Sequence, residues 1–433
     1  MYHGVVVVWV LALLVLYGGG GCGDRSPPND RPNIVLIVGD DLGYGDLGFM
    51  GSPYARTPNL DRLANEGTVF SRGYSTGSVC KPALQTLLTG VDPFQRDLRR
   101  RRVRGEDTIA PHEPTLPRLL RSQGYASFHA GKLWEGSARE VGFDAGIPWR
   151  QLKLYRTTDL GRPSIQAPLD FIDAHLDQPF FLWFAPMLPH FPFDAPAHFE
   201  APYRDAPLSD VERRYFANVT RFDHVVGQLV SHLERRGLTE RTVVIYLNDN
   251  GWDRTRFDYV ERNGPRGKGT IYDIGFRTPI VVWAPGRVRA GAHRDLVSIL
   301  DVMPTALDLA GVSVPVSLLG RSLRAALQGG PVPGRDAIVG WLPPVRSAYA
   351  AGRLVRGEQF FVRTDAWRYV WQPDSALQQL YRIEMDPREE NDVLAGFPEV
   401  ARGLRAQVQP WVGERSRAIA GPPRLAREAL PVQ

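Results

Sequence analysis

Three short runs decide what this chain can fold into. Asn33-Ile-Val-Leu-Ile-Val38, Phe180-Phe-Leu-Trp-Phe184 and Thr242-Val-Val-Ile-Tyr-Leu247 are continuously apolar and rich in β-branched or aromatic residues. Each is too short for a buried helix, so each reads as a strand covered on both faces. Strands of that kind belong in a mostly parallel sheet sandwiched by helices. The helices are legible between them. From Ser209 to Arg236 the apolar residues Val211, Tyr215, Val219, Phe222, Val226, Leu229 and Leu233 follow the helical period. Ser209 or Asp210 can cap the start and Gly237 the end. A shorter helix over Thr115 to Ser122 leads into a further strand, Tyr125 to Ala130.

In such a sheet the residues just past the strands gather at its carboxyl edge, where ligands bind. Asp40 and Asp41 follow the first run, His190 the loop after the second, and Asp249 and Asn250 the third; Lys132 follows the strand at Tyr125 to Ala130. These side chains are expected to converge. Two Asp and an Asp-Asn pair offer oxygen donors without sulfur or imidazole, which suits one divalent cation, Ca²⁺ or Mg²⁺, over zinc. Taken alone, Asp40-Asp41 also suits a turn or a helix cap. Cys80, in Ser78-Val-Cys-Lys-Pro-Ala-Leu84, opens an apolar helix with Pro82 in its first turn. Helix-start N–H groups favour an anion and depress a thiol pKa; a buried structural cysteine is the alternative. Lys132 and Lys268 each follow a glycine, which lets backbone approach an anion, or they are solvated loop lysines. His190 lies between Pro189 and Pro192 on a stiff loop, as a general acid or as a structural histidine.

The flanks differ in texture. Val5 to Leu16 is apolar, then come Gly18 to Gly21, Cys22 and a polar, Pro-rich stretch. This reads as a signal peptide over residues 1–22, of lipoprotein type with Cys22 as the acylated membrane anchor, and a linker over 23–31. The apolar core is too short for an ordinary spanning helix. The expectation is an exported protein, periplasmic or at the cell surface. With the signal removed, Cys80 would be the one thiol left, so no internal disulfide is expected. Residues 32–333 read as the catalytic domain and 334–433 as a smaller antiparallel α+β subdomain. In the latter, Phe360 to Arg363, Trp367 to Trp371 and Gln379 to Ile383 read as strands, and Pro398 to Gln409 as a closing helix stopped by Pro410. A net charge of +5 over 433 residues does not call for nucleic acid. The run Arg96 to Arg104 reads as a polyanion-binding patch or a solvated loop. Asn218-Val-Thr220 matches a glycosylation acceptor but falls inside the long helix.

Ordered along the chain, several stretches resemble the sulfatase family of the alkaline-phosphatase superfamily, from about Pro32 to Glu399. Asn33 to Gly48 is similar to the family's first strand and metal loop, and Thr57-Pro-Asn-Leu-Asp-Arg-Leu-Ala64 to its following helix. Asn248-Asp-Asn-Gly251 and Gly267-Lys-Gly-Thr270 resemble its second metal pair and a substrate-binding lysine. Leu380-Tyr-Arg-Ile-Glu-Met-Asp-Pro-Arg-Glu389 looks like its C-terminal signature. The resemblance implies an alkaline-phosphatase-like fold and a sulfuric ester hydrolase whose Cys-x-Pro-x-Arg cysteine is oxidised to formylglycine. It implies Asp40, Asp41, Asp249 and Asn250 on the cation, Cys80 as nucleophile precursor, Lys132 and Lys268 on sulfate, and His190 near the leaving oxygen. Its implied partners are a sulfated small molecule or glycan and a formylglycine-generating enzyme.

Two positions depart from the pattern. Leu84 stands where the motif has Arg, and Trp134 and Glu135 stand where a histidine follows the Gly-Lys lysine. Glu135 is a candidate to carry that proton instead. The departures keep two other readings open: a phosphate or phosphonate ester hydrolase, and a catalytically silent module that binds sulfated glycans.

Overall fold

The expected runs are strands, and their pairing follows from their burial. The computed structural model describes Met1 and residues 31–102, 109–110, 113–147, 160–252, 266–344 and 357–420, with 99–102 and 415–420 in backbone only. The signal peptide, nearly all of the linker, Cys22 and Arg104 therefore lie outside the described residues. Among the described residues no helix is long and apolar enough to cross a membrane.

The larger sheet contains β1 (Asn33–Gly39), β2 (Thr68–Tyr74), β3 (Ala126–Gly131), β4 (Ala145–Gly146), β5 (Phe180–Ala185), β6 (Thr242–Asn248), β7 (Arg277–Trp283) and β8 (Gly291–Ser298). Their spatial order is β4-β3-β5-β1-β6-β7-β2-β8. Only β7 is reversed: it is antiparallel to both β6 and β2, while the other pairings are parallel. The helices are α1 (Pro58–Glu66), α2 (Cys80–Thr89), α3 (Pro93–Arg102), α4 (Leu116–Arg121), α5 (Gln166–Asp173), α6 (Ala197–Glu200), α7 (Asp210–Arg235), α8 (Asp273–Phe276), α9 (Val302–Leu309), α10 (Arg324–Leu327) and α11 (Pro398–Ala420).

Alternation along β1 builds both cores. Ile34, Leu36 and Val38 pack with Leu84 and Leu87 of α2, Leu116 and Leu120 of α4, and Met303 and Leu307 of α9. Val35 and Ile37 face the other way, onto Leu60 and Leu63 of α1, Ile172 of α5, and Val219, Phe222, Val226 and Leu229 of α7. Each of these β1 side chains contributes about 1.5–3 kcal/mol by burial, so the strand tolerates a polar residue on neither face. Helix α7 begins as expected: Ser209 Oγ accepts from Glu212 N and the Glu212 carboxylate accepts from Ser209 N, a closed capping box. Asn218 is fully buried in that helix, its amide donating to Pro192 O at 3.0 Å, so the Asn-Val-Thr match is structural.

The C-terminal strands β9 (Ile338–Leu342), β10 (Gln359–Arg363), β11 (Trp367–Trp371) and β12 (Gln378–Arg382) form an antiparallel sheet in the order β12-β11-β10-β9. Trp341, Phe360, Val362, Tyr369 and Trp371 pack with Ala401, Leu404 and Val408 of α11 and Phe94 of α3. Phe361 and Val370 face Tyr74, Ile271 and Phe276 on the other side. Two expectations are corrected here. Helix α11 does not stop at Pro410 but continues through it to Ala420. A proline inside a helix costs about 3 kcal/mol; Trp411, stacked on Phe94 at a centroid distance of 5.0 Å, supplies packing beyond it. The described part of the arginine run is not a loop but α3, with Arg96 paired to Glu113 at 2.6 Å.

Candidate active site

Register brings the acidic residues together. Gly39 of β1 lies opposite Asn248 of β6, so Asp40-Asp41 and Asp249-Asn250 leave adjacent parallel strands at the same level. Asp249 N donates to Gly39 O at 3.0 Å and Asp41 N to Asp249 Oδ1 at 3.2 Å. Successive side chains on a strand point to opposite faces, yet Asp40 and Asp41 both reach Cys80 Sγ. The turn responsible is at Asp41, whose φ of 59° is left-handed, a sparsely populated region for a residue with a side chain. Lys132 is delivered by β3, whose Gly131 pairs with Ala185 of β5. Gly131 has φ 105°, and a Cβ there would sit 2.1 Å from Ala185 O, so only glycine allows this approach.

Cys80 is the first residue of α2 and is buried. Its Sγ lies 3.5 Å from Asp40 Oδ1, 3.6 Å from Asp41 Oδ1 and 3.3 Å from Lys268 Nζ. One ligand atom each from Asp40, Asp41, Cys80 and Asp249 fits within a 4.8 Å cluster. Lys132 Nζ bonds both oxygens of Asp40 at 2.7 Å, and Lys268 Nζ both oxygens of Asp41 at 2.6 Å. His190 Nε2 is 3.5 Å from Asp41 Oδ2. Its Nδ1 lies 2.5 Å from Phe191 O, which can only accept, so Nδ1 carries the hydrogen of the neutral ring. Arg162 holds this loop from behind, donating to Met187 O at 3.0 Å and to His190 O at 3.2 Å. The structure thus brings together all the residues singled out from the sequence: Asp40, Asp41, Cys80, Lys132, His190, Asp249, Lys268 and Asn250, whose Nδ2 donates to Asp41 Oδ1 at 2.8 Å.

The donor set fits a dication. Asp249 Oδ2 and Asn250 Oδ1 are buried and have no hydrogen-bond partner among the described residues. Such an acceptor costs about 1–3 kcal/mol if left unmatched, and a cation held by oxygens would match both. Burial and the neighbouring Asp40 push the Asp249 carboxyl well above its ordinary value, the expected sign for crowded acids. Asp41 goes the other way. Burial raises it, but Lys268, His190 and Lys132 together hold it far below. Burial would lower both lysines, and the carboxylates more than reverse this, so both ammoniums stay protonated. Burial also lowers His190, with Asp40 and Asp41 opposing.

Of the two readings left open for the thiol, a helix start would depress Cys80, whereas burial, and then Asp249, push it well above the ordinary thiol value. The local helix effect is smaller than desolvation beside carboxylates. Glu135 is also placed elsewhere: Gln85 Nε2 donates to its Oε1, and Lys81 of the same helix is 3.9 Å away. Its carboxylate is thus engaged with α2 and not with the cluster. Trp134 lies with its ring 5.6 Å from Lys132 Nζ, and Leu84 is part of the apolar core beneath β1.

Sequence reasoning missed Ser75, Ser78 and Arg162. Ser75 Oγ donates to Asp249 O at 2.5 Å, and Ser78 Oγ is fully buried without a hydrogen-bond partner among the described residues. The signal available was the polar stretch Ser75-Thr-Gly-Ser78 leading into a buried helix start.

Known proteins share this arrangement of chain. The family model described as sulfatase matches residues 32–312, and one described as N-sulphoglucosamine sulphohydrolase, C-terminal, matches 264–410. N-acetylgalactosamine-6-sulfatase of Canis lupus familiaris is 32% identical over 73% of this chain and 70% of its own length. Arylsulfatase A of Homo sapiens is 29% identical over 92% of this chain and 90% of its own. Among solved structures, Ps i-CgsB superposes with a TM-score of 0.72 at 25% identity, covering 89% of this chain and 93% of that one. The phosphonate monoester hydrolase of Agrobacterium radiobacter shares the fold, with a TM-score of 0.67 at 19% identity over 90% and 96% of the two chains.

Proposed function

This chain belongs to the sulfatase family of sulfuric ester hydrolases, and from that membership we propose that it cleaves a sulfate ester on a sugar or other small molecule, using formylglycine made from Cys80 beside a divalent cation. Asp40, Asp41, Asp249 and Asn250 would hold the cation, Ca²⁺ before Mg²⁺, which would supply positive charge beside the nucleophile. Formylglycine at position 80 would supply, as its hydrate, one hydroxyl to attack sulfur and a second to release sulfate. Lys132 and Lys268, whose ammonium forms the neighbouring carboxylates favour, would hold anionic sulfate oxygens. His190 would pass the Nε2 proton of its doubly protonated ring to the leaving oxygen, while its Nδ1–H stays on Phe191 O. The observation that carries this reading is the buried cluster of three carboxylates and Cys80 set between two lysines.

The test is mass spectrometry of the peptide carrying Cys80 after co-expression with a formylglycine-generating enzyme, alongside sulfate release from aryl sulfate and from 6-sulfated N-acetylgalactosamine. An aldehyde at position 80 with sulfate release is expected. Turnover by a chain with an unmodified thiol overturns the formylglycine route, and no sulfate release from any ester overturns the reading itself.

A second reading has its own motive. Trp134 in place of a histidine removes a proton carrier that sulfate release would use, and a phosphonate hydrolase shares the fold. Phosphate diester and phosphonate ester substrates in the same assay decide between them. The same proposal includes residues 1–22 as an export signal with Cys22 as lipid anchor, 23–31 as linker, 32–333 as catalytic domain and 334–433 as subdomain.

A further inference from the structure

The small antiparallel sheet sends two arginines into the larger unit. Arg363 of β10 and Arg368 of β11 are paired in register and share the face of Phe361 and Val370, the face turned toward Tyr74 and Ile271. Both are buried, and Arg368 is fully so. The Arg368 guanidinium lies 3.9 Å from the Phe361 ring centroid, its Nε 2.8 Å from Glu389 Oε1 and its Nη1 3.3 Å from Asp273 Oδ1. Its Nη2 donates to the backbone oxygen of Ile271 at 2.6 Å. Asp273 also accepts from Tyr74 Oη at 2.7 Å, and that hydroxyl accepts from Arg363 Nε at 2.8 Å.

Glu389 closes the arrangement. Its Oε2 accepts from Asp273 N at 2.7 Å, and its backbone oxygen accepts from Arg266. It is buried, and its φ of 56° is left-handed, so the chain adopts an unfavourable turn to present carboxylate and carbonyl together. Burying charges in this way is a poor route to stability, since an apolar set of similar volume does as well or better. What the charges do accomplish is geometric. They hold the backbone at residues 271 and 273 and, through the Glu389 carbonyl, the side chain of Arg266, which brackets Gly267-Lys-Gly269. Inside the bracket, Lys268 N donates to Trp252 O at 3.1 Å and Gly269 N to Ser78 O at 2.7 Å, two residues from Cys80. Gly267 has φ 127°, so the loop itself has little stiffness of its own.

We propose that Arg368 and Glu389 are positioning residues for Lys268: the C-terminal sheet fixes the loop that aims this lysine at the substrate anion. The sheet is then part of the active-site apparatus although none of its residues touches the reacting atoms. This rests on the reading of Lys268 as a sulfate-binding residue, and the experiments separate the two.

Glu389→Gln, which keeps size but removes the charge facing Arg368, is made in the full chain with and without Lys268→Ala. Hydrogen exchange reads the loop without reference to turnover. The Lys268 and Gly269 amides should exchange at least tenfold faster in Glu389→Gln while amides of β1 and β6 stay unchanged. Unchanged exchange in the loop, or equal acceleration everywhere, overturns the proposal. In sulfate-ester hydrolysis, Glu389→Gln should lower kcat/KM about tenfold in the wild-type background and leave it nearly unchanged in the Lys268→Ala background. Equal losses in both backgrounds overturn the route through Lys268. A wild-type chain without sulfate-ester turnover overturns the proposed function instead, and hydrogen exchange still decides whether the loop is held. Should Glu389→Gln fail to fold, Arg266→Ala removes the donor to the Glu389 carbonyl, together with its cation–π contact to the Tyr272 ring, and the same exchange experiment reads it with the same two outcomes.

Discussion

Replacing Asp249 by asparagine separates the two effects its carboxylate has on this chain. Asp249 is fully buried, Asp40 is its strongest acidic neighbour, and its Oδ2 has no hydrogen-bond partner among the described residues. With no dication bound, that crowding opposes folding, because burial and a like charge both disfavour a carboxylate there. Asparagine keeps the shape and an oxygen for the Asp41 amide. In chelator, Asp249→Asn should therefore melt at or above the wild-type temperature. With a dication the order reverses. A ligand that binds only the native chain adds RT ln(1 + [L]/Kd), about 2.7 kcal/mol at a hundredfold excess over Kd. At roughly 2.1 cal/mol/K of unfolding entropy per residue, a unit of about 400 residues shifts by about 1 °C per kcal/mol. The wild type should thus rise by about 3 °C. If the substitution weakens binding a hundredfold, the variant gains only about 0.4 kcal/mol and rises by less than about 1 °C. Scanning calorimetry in EDTA and in calcium or magnesium chloride reads all four values. Equal shifts in both proteins would show that Asp249 is not a ligand. A variant that melts below wild type in EDTA would refute the crowding argument.

Two further outcomes concern stability away from the cluster. Burial pushes the Asp92 carboxyl from 3.8 up to about 7, with the Phe94 and Gln95 amides opposing. The folded carboxyl holds its proton more tightly than the unfolded one, so its contribution is complete below about pH 4 and is lost as pH rises to about 7, a change on the order of 4 kcal/mol. Asp92→Asn should match wild type near pH 4 and be the more stable near pH 8 in urea titrations; a pH-independent difference refutes this. Pro410→Ala should stabilise by about 2 kcal/mol, restoring a helical amide and losing a little unfolded-state restriction, and a loss of stability would show the proline is accommodated without cost.

The cluster was legible because its causes are local to strand ends. Residues 34–38 and 243–247 are unbroken runs of aliphatic and aromatic side chains, so both read as inner strands, and whatever followed them had to share one edge. Strands β2 and β8 gave no comparable signal. Ser71 and Arg72 interrupt β2, and β8 opens with exposed residues as an edge strand. The thiol's environment stayed open between two readings because the helix start is visible in sequence, whereas its desolvation beside Asp249 depends on residues far along the chain. The Arg368–Glu389 pair was hidden for the same reason: the residues stand in recognisable segments, but only the register of β10 against β11 turns Arg368 inward.

The reversal of β7 has a consequence for how this architecture can diversify. Because β6 ends and β7 begins at the same edge, the connection from Asn248 to Arg277 leaves from and returns to that edge, carrying Asp249 at one end and Lys268 toward the other. A parallel crossover would have to traverse the whole sheet and pack a helix against it. This excursion is under no such obligation. Its length can change between those two ends without rethreading a strand, while the register of β6 against β7 stays fixed.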